Sequence, residues 1–251
     1  MSNKVLNGLG SATFRITDNT QLICFRNVSP KATVKATIKR NGQQDSIVIP
    51  TMTLGQLIEG QQKMRKLKAQ DDTVKNLVFA DADVGGQEIV GVYPSACYHF
   101  CLDGEFVQSD TDEIVLELKN LQNVEDSEVY TIQGKKVGVN VPIYKKHTMQ
   151  HSRDSQDLNF GSNRILLVEP DAIPEEIVLY FAGNESRVIT PSILEDINVE
   201  NFGLSRIDIA FNGDITHNFG YKEVLVLDLL GVQKVVFNDE LLTDDYHVYT
   251  V

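Results

Sequence analysis

One block of this chain occurs twice, and it constrains the fold more than any other feature. In the first half the strand-like run VKATIKR passes through Asn41-Gly42 into DSIVI, then Pro50, then TLGQLIEGQQKMRKLKAQ, a stretch of helical period. In the second half EEIVLYF passes through Gly183-Asn184 into SRVIT, then Pro191, then SILEDINVENFG. The interval from Gly42 to Pro50 equals that from Gly183 to Pro191. A chance match of one motif is common, but agreement across strand, turn, strand, proline, cap and helix points to a duplicated structural unit.

Around these blocks, short runs rich in Val, Ile, Thr, Tyr and Phe recur between turn residues, the pattern of an all-β protein. It predicts strands at 13–17, 21–25, 33–39, 46–49, 74–79, 88–93, 97–102, 113–118, 128–132 and 139–143. A second series falls at 164–168, 176–181, 187–189, 205–211, 215–219, 223–229, 233–237 and 246–250. The first helix is expected to start at Thr53 as N-cap, with Leu54, Leu57, Ile58, Met64 and Leu67 near one face. Lys63, Arg65, Lys66 and Lys68 fall in its last turns, where cations suit the helix dipole, and Gly60 weakens it. The second is expected to use Ser192 as N-cap, with Glu195 completing a capping box and Gly203 as its stop. The fold class expected is all-β: two consecutive β-sandwiches with short helices in loops. The first spans 1–145 and the second 164–251, joined by the polar stretch 146–163 as a linker; the rival reading makes that stretch an ordered loop of a single sandwich.

With 42% hydrophobic and 23% charged residues the chain has the means to build a core. Its first residues, MSNKVLNGLG, lack the pattern of a secretory signal, and its most apolar run, Val224 to Val232, is too short to span a bilayer and carries Asp228. Cys97 and Cys101 fall four apart on an expected strand, ~13 Å between Cα atoms and beyond the reach of a disulfide. With Cys24 they read as three reduced thiols, which suits assembly in a reducing cytoplasm. The net charge of -12 argues against general nucleic-acid binding but hides an asymmetry. Residues 1–75 hold 12 Lys or Arg against 5 Asp or Glu, and residues 76–251 hold 11 against 30. A chain with a basic end and an acidic remainder attracts copies of itself head to tail, or an anionic surface such as lipid headgroups; scattered solvated faces are the bland alternative.

No catalytic constellation emerges. His147 and His151, in HTMQH, have zinc-helix spacing, but Thr148 stands where a metalloprotease needs Glu and no third ligand follows. Asp81 and Asp83, in DADVGGQEIV, begin like a calcium loop, with Gly86 at its sixth position; Gly85 and Val92 then break the pattern, leaving a looser calcium loop or a β-turn with solvated carboxylates. Gly8-Leu9-Gly10 lacks the third glycine and the preceding strand of a dinucleotide site, and no phosphate-binding loop or Gly-x-Ser-x-Gly elbow occurs. The His-x-His pair of metal-binding cupins is missing, and His99, His217 and His247 stand alone. The carboxylates of DTDE (110–113) and TDDY (243–246) lie beside expected turns. Trp, the usual platform for saccharides, is absent, leaving Tyr93, Tyr98, Tyr144, Tyr246 and Tyr249 as substitutes.

This layout resembles the double jelly-roll major capsid proteins of tailless icosahedral, membrane-containing bacteriophages, the corticovirus type and its relatives. The resemblance spans essentially the whole chain and rests on its two all-β units, the repeated block at 33–67 and 175–203, and the final strand YHVYTV. Within it, VKATIKRNGQQDSIVIPTMTLGQLIEGQQKMRK looks like that family's strand pair leading into a basic helix. The resemblance implies a virion structural protein with no enzymatic activity, assembled in the host cytoplasm as a homotrimer whose six jelly rolls form a pseudo-hexagonal capsomer. Neighbouring capsomers, the internal viral membrane and minor capsid or vertex proteins are the partners it implies, with no specific nucleic acid. No cofactor is required; calcium, associated with some capsids of this type, would fall to Asp81 and Asp83. The basic cluster Lys63, Arg65, Lys66 and Lys68 is the expected lipid or subunit contact. The alternative is a receptor- or carbohydrate-binding sandwich such as a vertex spike, and a β-sandwich hydrolase ranks third for want of a constellation.

Overall fold

A computed structural model describes residues 3–6, 8–17, 20–69, 79–84, 87–89, 96–99, 106–108, 112–121, 127–133, 139–141, 144–151, 155–161, 163–202, 206–209, 215–218, 223–239 and 244–251. The first half comprises β1 (Asn3–Val5), β2 (Ser11–Ile16), β3 (Thr20–Arg26), β4 (Thr33–Lys39), β5 (Ser46–Thr53), α1 (Leu54–Ala69), β6 (Phe79–Val84) and β7 (Gln87–Ile89). It continues through β8 (Ala96–His99), β9 (Phe106–Gln108), β10 (Glu113–Lys119), β11 (Glu128–Gln133) and β12 (Val139–Val141). The second half comprises β13 (Lys145–Met149), β14 (Gln156–Leu158), β15 (Ile165–Val168), β16 (Glu176–Phe181), β17 (Ser186–Ile189) and α2 (Pro191–Phe202). It ends with β18 (Arg206–Ile209), β19 (Ile215–Asn218), β20 (Leu225–Asp228), β21 (Val232–Asn238) and β22 (Tyr246–Thr250). Among the described residues the chain is all-β with two α-helices, as its strand patterning predicts.

Alternation explains how each strand takes its place. In SATFRI of β2, Ala12, Phe14 and Ile16 point inward while Ser11, Thr13 and Arg15 face out. Register then stacks like with like, because Ile16 lies opposite Ile114, which lies opposite Ile38, and Phe14, Leu116 and Ala36 form the next inward row. The outward rows carry cross-strand ion pairs instead, Arg15 to Glu113 at 3.1 Å and Lys35 to Glu117 at 3.7 Å. A slip of one residue would exchange the two faces, so the pattern fixes the register.

Each half holds two four-stranded antiparallel sheets. In the first half their orders are β1-β11-β3-β8 and β2-β10-β4-β5; in the second, β13-β22-β15-β20 and β14-β21-β16-β17. The duplication seen in the repeated block therefore extends to the order of these four-stranded sheets, strand for strand; the β12-β9 pair is an addition of the first half. In both halves the turn glycine adopts positive φ, 73° at Gly42 and 85° at Gly183, a conformation that only glycine takes without a steric penalty. After each helix comes an inserted strand pair, β6-β7 in the first half and β18-β19 in the second. These insertions join in one mixed sheet, β19-β18-β6-β7, whose parallel β18-β6 pair ties the halves together.

The stretch 146–163 is not a linker. Residues Lys145–Met149 pair with β22, and Gln156–Leu158 pair with β21, so this polar segment supplies a strand to each sheet of the second half. Pro50 does not end its strand either: β5 runs through it to Thr53, which an edge strand permits because no ladder hydrogen bond need be lost. Of the strand expected at 74–79, residues 74–78 lie outside the described residues, and β6 runs from Phe79 to Val84.

Two apolar cores result, and β15 serves both. Its four residues are all buried: Leu166 and Val168 face the core of the second half, while Ile165 and Leu167 face a core continuous with that of the first. β20 repeats the division, with Leu225 and Leu227 on one side and Val226 on the other. Strands β15 and β20 of this sheet are thus covered on both faces, by their own sandwich and by the first half with α1.

Candidate functional site

Polar groups with defined partners gather most densely where α1 crosses to the second half. The helix starts as its sequence predicts. Thr53 Oγ1 accepts from Gln56 N at 3.1 Å, and Gln56 Oε1 accepts from Thr53 N at 2.9 Å, a reciprocal capping box. Leu54, Leu57, Ile58 and Met64 are buried, so the expected apolar face is the packed one; the side chain of Leu67 lies outside the described residues. Gly55 and Gly60 bring the helix close to its neighbour. A Cβ at Gly60 would meet Leu167 Cδ1 at 3.2 Å, and one at Gly55 would meet the Glu223 side chain at 2.7 Å. Gly60, a weak point by helix propensity, is thus a site of close approach.

Lys63 lies inside this junction, 6% exposed. Its Nζ pairs with Glu59 Oε1 at 2.5 Å, donates to Val224 O at 2.7 Å and lies 5.4 Å from the centre of the Phe202 ring. Burial pulls the Lys63 pKa below its ordinary value, and the Glu59 carboxylate opposes that shift. Glu59 Oε2 accepts from the backbone N of Glu223 at 2.8 Å, while Gln56 Nε2 donates to Glu169 Oε1 at 3.1 Å. Tyr249 sends its hydroxyl to the same Glu169 oxygen at 3.4 Å, and burial first, then that carboxylate, raises its pKa.

The expectation that Lys63 contacts lipid or another subunit is therefore corrected. Its charge is spent within the chain on a buried pair and a carbonyl. Arg65, Lys66 and Lys68 follow it along α1, and their side chains lie outside the described residues.

From α2 comes a matching device. Asn198, fully buried, donates through Nδ2 to Leu194 O and Val226 O and accepts through Oδ1 from Val226 N, each at 2.9 Å. β20 is the edge of its sheet, so Asn198 satisfies backbone groups that would otherwise lie unpaired. The cap of α2 is Thr190, whose Oγ1 accepts from Ile193 N at 3.4 Å, and not the expected Ser192. Pro191 takes the first helical position, where its missing N–H costs nothing, and that moves the start two residues upstream. Gly203, the expected stop, lies outside the described residues.

The other candidate groups do not converge. Asp81 and Asp83 lie on strand β6, in register with Asp208 and Glu88, so these two residues belong to a sheet and not to the expected calcium loop or turn. His147 and His151 also fail to meet: His147 Nε2 hydrogen-bonds Thr250 Oγ1 at 2.9 Å, and His151 Nδ1 bonds Asp245 Oδ1 at 2.9 Å. His247 instead meets Thr148, its Nδ1 lying 3.3 Å from Oγ1. Among the described residues no group of three or more His, Cys, Asp or Glu is placed to hold a metal ion. Tyr144, Tyr246 and Tyr249 are core residues, which removes them as saccharide platforms, and the side chains of Tyr93 and Tyr98 lie outside the described residues. Cys24 is buried on β3 in register with Cys97. Asp112, of DTDE, is buried with Arg40 Nε at 3.6 Å, so it too has a structural partner. An open depression of about 400 Å³ between β14 and β21 is crossed by the Lys234–Asp157 pair at 2.7 Å and gathers no acid–base set.

Exposure on α2 differs sharply from that on α1. Ile193 and Val199 are exposed, with Glu195, Asp196 and Glu200 beside them, whereas α1 is covered on nearly all sides as far as Met64. Val188 on the adjoining edge strand β17 and Val5 on β1 are also exposed. Among the described residues no helix is long and apolar enough to cross a membrane. No protein-family model matches the chain, and no curated protein matches it in sequence.

Proposed function

We propose that this chain is a structural subunit of an icosahedral viral shell, a double jelly-roll capsid protein that works as a homotrimer. The observation that carries the reading is strand order. Counting only the sandwich strands of each half, the two sheets run 1-8-3-6 and 2-7-4-5 in both halves. That order matches the double Greek key of a jelly roll: sequence neighbours fall in different sheets except the fourth and fifth strands, which pair within one. Two such units in tandem, fused through a common core, give a rigid block that presents similar surfaces twice. Three chains then supply six similar units to a pseudo-hexagonal capsomer.

The interior supports the same reading. The junction polar groups that α1 supplies, and that Asn198 supplies from α2, are satisfied within the chain and serve to hold β20 and the two halves in fixed relation. A shell tile needs that rigidity, because lattice contacts act at distances set by the tile's shape. Negative-stain imaging of the purified chain tests the proposal: three-fold particles of hexagonal outline are expected, and isolated single subunits at every concentration would count against it.

A further inference from the structure

The two helices follow the same strand of their units, yet only one of them is covered. Aligned on their caps, Thr53 and Thr190, they match Leu57 with Leu194 and Gln61 with Asn198, and all four residues are buried. The same alignment matches Gln56, Glu59, Gly60 and Lys63, which reach the other half of the chain, with Ile193, Asp196, Ile197 and Glu200. Ile193, Asp196 and Glu200 are exposed and Ile197 is half-buried. The stripe that seals the junction on α1 thus has an open counterpart on α2.

What α1 seals in the second half is the start of β20 and the residue following β15, at Glu223, Val224 and Glu169. By sheet position the equivalents in the first half are the start of β8 and the end of β3. At that end of β3, Arg26 and Lys31 are exposed, Arg26 beside Glu128 of the neighbouring strand at 2.9 Å, and both are opposite in sign to Asp196 and Glu200.

We infer that the outward face of α2, around Ile193, Asp196 and Glu200, docks on the first half of a second copy of this chain, at the end of β3 near Arg26 and Lys31. The contact rests on the shell-subunit reading and repeats between copies the junction that α1 makes within one. It is head-to-tail, so it closes into a ring when the rotation allows. Its electrostatics also match the charge asymmetry of the sequence, with an acidic second half against the basic segment 1–75, in which Arg26 and Lys31 lie.

Charge reversal on the full-length chain tests it, read by native mass spectrometry at fixed protein concentration with circular dichroism as the check on folding. Asp196→Lys with Glu200→Lys is expected to weaken association by roughly tenfold or more, because opposite charges across a contact become like ones. Ile193→Asp acts in the same direction through the apolar part of the contact. Adding Arg26→Glu and Lys31→Glu to the α2 double variant is expected to restore the oligomer, with both signs exchanged. Oligomers that persist in the α2 variants, or a fourfold variant that stays folded but dissociated, overturn the docking assignment while leaving the shell reading intact. A wild-type chain that is monomeric throughout overturns both.

Discussion

Asn198 shows how much one side chain contributes at the residue scale. Two of its three hydrogen bonds satisfy both backbone groups of Val226 at a fully buried site. Asn198→Leu leaves that N–H and carbonyl unmet, and each buried orphan costs about 1–3 kcal/mol. Urea denaturation should show a loss of at least about 2 kcal/mol on that scale. Glu59 and Lys63 make a sharper case, since removing one member strands the other charge. Glu59→Gln is expected to destabilise by about 3 kcal/mol or more, and the double change Glu59→Gln with Lys63→Met to recover most of the loss. His147 gives a pH signature. Burial first, then the charge of Lys145, hold its pKa below 6.5, and burial also depresses His247. The unfolded chain therefore binds protons more readily than the folded one, so stability present above pH 6.5 is lost as pH falls from there towards the folded pKa. Melting temperature should drop between neutral pH and about pH 5, and less steeply in His147→Asn. The Thr53 cap was legible from residue type and spacing alone. The burial of Lys63 was not, because Val224 and Phe202, which cover it, lie in the other unit, and a lysine among lysines reads as a solvated face.

At the scale of elements, the failures of pattern reading share a cause. β1, β9, β13 and β14 escape prediction, and all four are edge strands with a single partner. An edge strand gains less from apolar residues and gains protection against stray pairing from lysine, which KKHTM of β13 carries twice. Period-two alternation is accordingly weak where it is least needed, and the segment resembles a linker. Central strands such as β4 and β10 carry the full pattern and were read correctly. The helices make the complementary point: Gly60 lowers the propensity of α1, yet it lets Leu167 approach. Gly60→Leu should force α1 off the sheet and cost about 1–3 kcal/mol by overpacking, measurable as a lower urea midpoint.

For the whole molecule, the duplication was legible at the turn glycines and prolines, and the structure extends it to the strand order of both halves. The intervals were less regular than they first looked, since the helix starts at Thr53 and Thr190 do not keep the spacing of the glycines. What sequence left out was the junction: nothing in spacing shows that α1 of one unit completes the core of the other while α2 stays open. That imbalance is the physical argument for the proposed assembly, in which a second copy covers the open counterpart of a surface sealed once within the chain. The most direct measurement is the native mass of the purified 28.0 kDa chain across a wide range of protein and salt concentration. The account predicts a trimer that weakens as salt screens the contact of Asp196 and Glu200 with Arg26 and Lys31. A chain that stays monomeric under every condition would contradict it.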